Sequence, residues 1–142
     1  MSILVSACLV GINCRHDGDH SLTNKTLKLV KSEVIVPICP EQLGGLSTPR
    51  SPAEITDGSG EDVRDGKAKI LTRDGLDVTQ QFIRGAREAI KIAMLCEARK
   101  AVLKQENPSC GCGQICRRSR VVKGDGVTAA LLKRDRIEIL SL

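Results

Sequence analysis

Ile3-Leu4-Val5-Ser6-Ala7-Cys8, an apolar run that ends in a thiol, decides the reading of this chain because its pattern returns twice. Val34-Ile35-Val36-Pro37-Ile38 leads into Cys39, and Ala101-Val102-Leu103 leads through a short loop to Cys110. Apolar runs this short, bounded by turn residues, suit strands buried on both faces. If the three are parallel neighbours in one sheet, their carboxyl ends gather at one edge, where open α/β folds place ligands. In a reducing compartment, three thiols at one crevice suit a metal or an iron–sulfur cluster better than a disulfide.

Between these runs the pattern turns helical. Leu27 and Val30 have the spacing of a short helix within 22–31. Asp77 or Thr79 can cap a long helix over 78–98, with Phe82, Ala86, Ala89 and Ala93 on its apolar face. Asp125-Gly126-Val127-Thr128 opens a last helix through Arg134, and residues 137–140 read as a closing strand. Arg64-Asp65-Gly66-Lys67 reads as a hairpin turn, with Ala68-Lys69-Ile70-Leu71 as its return arm. Alternating strands and helices predict one α/β domain spanning 1–142. The expected fold is a Rossmann-like three-layer sandwich on a mainly parallel sheet, with one inserted hairpin.

Composition narrows the partners. The net charge of +5 spreads over 22 basic and 17 acidic residues without a basic tail. With Phe82 as the one aromatic residue, the chain lacks the stacking platforms of single-stranded nucleic-acid binders. No run has the length of a membrane span. Val5-Ser6-Ala7-Cys8 imitates a lipoprotein cleavage site but lacks a charged and apolar leader before it. The expected location is the cytoplasm. There seven cysteines, an odd number, argue against a disulfide scaffold. Cys96, in the apolar stretch 90–96, reads as a small buried hydrophobe.

Other residues carry chemistry by type and place. Glu41 lies two residues beyond Cys39, just past a strand end, as a candidate acid or base. Gly44-Gly45 lets backbone amides approach a ligand, and Arg50 can grip an oxyanion in a fork. Asn107-Pro108-Ser109-Cys110-Gly111 is a tight turn that presents a hydroxyl and a thiol together. Cys112 and Cys116 read as incidental thiols or as spare ligands for the cluster, and Cys14 has no role assigned by the sequence. A zinc site built on Cys110, Cys112 and Cys116, completed by Cys14, His16 or His20, is the alternative.

Taken in order, several motifs stand together. They are Ser6-Ala7-Cys8-Leu9-Val10-Gly11, Cys14-Arg15-His16-Asp17-Gly18, Cys39-Pro40-Glu41 and Gly44-Gly45-Leu46. They continue with Thr48-Pro49-Arg50-Ser51-Pro52-Ala53-Glu54, Pro108-Ser109-Cys110-Gly111 and the stretch 124–132. Nearly end to end, the chain resembles the small bacterial thiouracil desulfurase family. That resemblance implies a [4Fe–4S] cluster held by Cys8, Cys39 and Cys110, with one iron open to a thiocarbonyl sulfur. It also implies Glu41 as acid/base, Ser109 orienting substrate, and Ser6, Arg15, Asp17, Gly45 and Arg50 as substrate-binding residues.

The implied reaction is non-redox, hydrolytic C–S cleavage of a thio-base or thionucleoside to the oxo-base and sulfide. His16 replaces the family's usual Tyr, Asn107 a common Ser, and the segment 112–123 is shortened, which bears on substrate identity. Two other functions compete with this one. A non-enzymatic metal or iron–sulfur carrier would not need Glu41 and Ser109 beside its thiols. An accessory module reading thiolated tRNA through Arg117, Arg118 and Arg120 lacks aromatic support. A thiol redox protein would need a Cys-x-x-Cys pair, and none is present.

Overall fold

The computed structural model describes residues 2–142. Strand β1 (Ser2–Ser6) runs into a 3-10 turn over Ala7–Val10, and helix α1 (Asn24–Val30) carries the chain to β2 (Val34–Ile38). A one-turn helix α2 (Pro40–Leu43) follows at once. Next come β3 (Ala53–Ile55), α3 (Gly60–Arg64), β4 (Ile70–Thr72) and the long helix α4 (Thr79–Leu95). The chain ends with β5 (Lys100–Leu103), β6 (Gln114–Arg117), β7 (Arg120–Lys123), α5 (Val127–Arg134) and β8 (Glu138–Ser141).

The three thiol-terminated runs are neighbours in one sheet. Its order is β2-β1-β5-β8, and each pairing is parallel. Alternation splits β1 between two layers: Leu4 packs with Ala89, Ala93, Leu103 and Leu132 under α4 and α5. Ile3 and Val5 pack with Val30 and Val102 on the opposite face, under α1. The connection from β1 to β2 therefore crosses one face, and that from β2 to β5 crosses the other. Such a reversal opens a crevice at the carboxyl ends of the central strands. This is the expected three-layer α/β fold.

One prediction needs correction. Residues 64–67 are not the turn of a simple hairpin, because Gly60–Arg64 is helical. Asp62 accepts the Ser59 amide at 2.8 Å, a cap that starts α3 where a strand arm was expected. The antiparallel partner of β4 is β3, so the inserted hairpin exists with a helix between its arms.

A second antiparallel ribbon, β6 with β7, occupies the cysteine-rich segment after Cys110, where the sequence shows no strand alternation. Its turn places Arg118 and Ser119 at positive φ, and buried Ile115 anchors it to the cluster containing Phe82. Arg117 donates to the carbonyls of Ile55 and Gly58, tying this ribbon to the first.

Close backbone approach fixes α2. A Cβ on Gly85 would overlap the Pro40 carbonyl, and one on Gly44 would overlap the Gln81 carbonyl. Glycine at both places lets α2 lie against α4 with no side chain between them.

Candidate active site

Cys8 sits in the turn after β1, Cys39 at the N-cap of α2, and Cys110 in the turn beyond β5. All three line one cleft of about 690 Å³, as do Ser6, Glu41 and Arg50. Apolar walls come from Ile38, Leu46, Val78 and Phe82.

The Cys110 turn is held from behind. The amides of Gly126, Val127 and Thr128 donate to the carbonyls of Gly111, Pro108 and Ser109 at 2.7, 2.9 and 2.9 Å. The otherwise unpaired first amides of α5 are thereby spent on this turn. From the front, Asn107 Oδ1 accepts the amides of Ser109 and Cys110.

Cys14, given no role by the sequence beyond that of a fourth zinc ligand, is a fourth thiol in the same cleft. It is buried, and its backbone carbonyl accepts from the Cys39 thiol at 3.8 Å. Its one sequence signal was its place in the motif with Arg15 and Asp17.

The hydrogen bond with Cys14 lowers the pKa of Cys8, against its burial. Cys39 lowers the pKa of Cys14, but the bond with Cys8 and burial outweigh this and push it up to about 11. The bond with Cys14, then burial, raises the pKa of Cys39. Burial, then the Glu41 charge, raises that of Cys110, opposed by hydrogen bonds from Ser6 and Ser109. Most of these thiols thus hold their protons until something replaces them.

Glu41 is 7% exposed, and its two oxygens differ. Oε2 accepts from Arg50 Nη2 at 3.0 Å, whereas Oε1 is buried without any partner among the described residues. Arg50 Nη2 also donates to the Cys14 carbonyl at 2.9 Å, and Nη1 to Thr48 Oγ1 at 3.1 Å. The guanidinium expected to grip substrate is engaged with the protein itself.

Other expected contacts divide. Ser6 and Arg15 line the cleft. Asp17 lies outside the lining and holds Arg15 Nη2 at 2.8 Å. Gly45 is a turn residue at positive φ, also outside the lining. Ser109, expected to orient substrate, is fully buried, with its Oγ 2.7 Å from Thr128 Oγ1. The hydroxyl is turned inward because α5 docks on that turn.

Among the described residues, no three His, Cys, Asp or Glu side chains are arranged to hold one metal ion. The alternative zinc site is therefore not assembled. His20 instead accepts the Leu22 amide, and Cys112 lies outside the cleft lining.

Known proteins match this chain over nearly its whole length. A model of the 2-thiouracil desulfurase family matches residues 3–141. The uncharacterized protein YbbK of Bacillus subtilis (strain 168) is 47% identical over 142 residues, with 98% of this chain and 94% of that protein aligned. The solved structure of a [4Fe-4S]-dependent thiouracil desulfidase, TudS, is similar with a TM-score of 0.84 at 38% identity. That match covers 99% of this chain and 89% of the other. With its fold, its thiol-lined cleft and these matches in agreement, the chain belongs to the 2-thiouracil desulfurase family.

Proposed function

We propose that this chain is an iron–sulfur-dependent desulfurase. It removes sulfur from thiolated pyrimidine bases or nucleosides by hydrolysis, with the balance C=S plus water giving C=O plus hydrogen sulfide. The observation that carries this reading is Glu41 Oε1, a buried and unpartnered carboxylate oxygen in the cleft that the thiols line. A buried acceptor without a partner is costly in a finished structure and suits one that meets its partner during turnover.

The donor set fits the cofactor of the structural neighbour. Thiolates are the usual ligands of iron–sulfur clusters, and three cysteines from three strand ends line this cleft. Cys8, Cys39 and Cys110 would hold the cluster. When bound through three cysteines, it supplies an open Lewis-acidic iron for a thiocarbonyl sulfur, with no change of oxidation state required.

The protein's own groups do the rest. Arg50 holds Oε2 and leaves Oε1 without a partner, free to accept a proton from water and return it to the departing sulfur. Ile38, Leu46 and Phe82 exclude bulk water from one side. Arg15, steadied by Asp17, lies at the mouth for a polar substituent. A carrier would have no use for a bare carboxylate beside its thiols. An RNA-reading module would lose Arg117, which is already engaged with two backbone carbonyls.

One domain over 1–142 and a cytoplasmic location complete the proposal. No helix among the described residues is long and apolar enough to cross a membrane.

The test is anaerobic reconstitution, followed by iron counting and a panel of thio-bases and thionucleosides. Sulfide and oxo-base should appear in equal amounts. Serine at Cys8, Cys39 or Cys110 should abolish the brown chromophore, while serine at Cys96 or Cys116 should not. Iron-loaded protein that releases no sulfide from any member of the panel would leave the carrier reading in place.

A further inference from the structure

Asn107 lines the cleft from the turn beyond β5, and the two ends of its side chain are used differently. Its Oδ1 accepts the backbone amide of Ser109 at 2.6 Å and that of Cys110 at 3.0 Å. A carboxamide accepts only through its oxygen, so two N–H donors fix which end faces the turn. The main chain holds the residue as well, since the Gly111 amide donates to the Asn107 carbonyl at 2.8 Å.

The opposite end is Nδ2, a group with two hydrogens to give. Both side-chain bonds of Asn107 among the described residues go to its oxygen, so Nδ2 is left unpartnered. It belongs to the same amide group that touches the Cys110 main chain, and it therefore lies beside the thiol end of the cleft. Arg50, another donor in this cleft, is committed to Glu41, Thr48 and the Cys14 carbonyl. Gln105 also lines the cleft, but its Oε1 meets the Cys112 amide at 3.4 Å, too long a bond to set a direction.

We infer that Asn107 Nδ2 donates a hydrogen bond to the substrate's remaining carbonyl oxygen and so selects uracil-type over cytosine-type thio-bases. The inference rests on the desulfurase reading above, with the thiocarbonyl beside Cys8, Cys39 and Cys110. In 2-thiouracil and 4-thiouracil alike, the carbonyl stands across one ring nitrogen from the thiocarbonyl carbon. A donor tied to the Cys110 turn thus meets the same S=C–N–C=O edge in both isomers. 2-Thiocytosine carries an amino group in that place, and a donor set against a donor loses its hydration without a new bond. A serine at 107 could serve the two amides with its one oxygen, but it has no separate NH2 to offer the substrate.

Asn107→Asp is the deciding variant, because it keeps an oxygen for the two amides and puts an acceptor where the NH2 was. It is compared with reconstituted wild type and with Gln105→Glu, which adds the same charge to the same cleft. Binding of uracil and of cytosine is measured by equilibrium dialysis, and kcat/KM is measured for 2-thiouracil and 2-thiocytosine. Iron content and melting temperature are recorded on the same samples. Wild type should bind uracil roughly 10-fold more tightly than cytosine, and Asn107→Asp should reverse the order. Both bases are uncharged at neutral pH, so added charge or a loosened turn weakens both and leaves their ratio alone. Gln105→Glu should accordingly keep the wild-type ratio.

An unchanged ratio in iron-replete Asn107→Asp would overturn the inference, and so would an equal change of ratio in Gln105→Glu. If the ratio reverses as expected but no thio-base yields sulfide, the contact stands and the desulfurase reading falls. Should Asn107→Asp fail to fold, Asn107→Ser decides, since it keeps an oxygen for the turn and removes the NH2. The preference for uracil should then vanish, and its persistence would overturn the inference.

Discussion

Glu41 has one oxygen tied and one bare, and the difference is made by Arg50. Glu41→Gln should therefore keep its iron and lose at least ~100-fold in turnover, the low end of general acid–base contributions. Sulfide release and iron content would be read on the same samples, and full activity would remove Glu41 from the mechanism. Arg50→Lys keeps a positive charge but cannot span Glu41, the Cys14 carbonyl and Thr48 at once. Its kcat should fall while KM changes little, as expected of a residue that orients the acid rather than the substrate. Ser109→Ala should also keep iron, with a smaller loss than Glu41→Gln, because its hydroxyl is bonded to Thr128 behind the Cys110 turn rather than lining the cleft. That Cys8, Cys39 and Cys110 meet in one cleft was legible in the sequence, since a thiol after a buried strand has nowhere to go but the sheet's carboxyl edge. Cys14 was not, because a loop of turn residues gives no periodicity from which to place a side chain.

At the scale of elements, the glycine contact between α2 and α4 is the tightest constraint on the site. Gly85→Ala should cost about 1–3 kcal/mol of stability by overpacking. It should also lower iron retention, because α2 carries Cys39 at its N-cap and Glu41 in its first turn. Denaturant unfolding and iron counting would separate the two effects.

The start of α4 depends on Asp77, whose Oδ1 accepts both the amide of Thr79 at 2.9 Å and its hydroxyl at 2.6 Å. The Thr79 hydroxyl bond, followed by the amide bond, holds the Asp77 carboxyl below its usual range. A carboxylate with a lowered folded-state pKa stabilises above its unfolded pKa, and the contribution fades as pH falls through the folded value. Asp77→Ala should thus melt below wild type at neutral pH, and the gap should close in acid. The helix was readable from spacing, but its N-cap is Val78, and Asp77 acts from one residue before it by accepting the Thr79 amide. Helix α3 was not, because Asp-Gly favours a turn and the Ser59–Asp62 cap acts from outside the window.

For the whole molecule, the cleft is where separate crossovers meet, and a group bound there joins them. Loaded protein should melt above cluster-free protein, and removing iron with a chelator in air should return it to the lower temperature. An equal melting temperature in both states would mean that the group does not bridge the strand ends. The sheet order was legible only as far as buried runs imply a parallel sheet. The small ribbons β3–β4 and β6–β7 depend on distant partners, such as Arg117 reaching Ile55, which local pattern does not encode.

The position of β1 between β2 and β5 also sets a timetable for the newborn chain. Its first neighbour is made soon after it, but its second is made only once α4 has been synthesised. Cys8, Cys14 and Cys39 are therefore synthesised well before Cys110. A pocket that closes only with β5 and α5 is finished only after both have been made. Iron offered earlier would find an unfinished set of thiols.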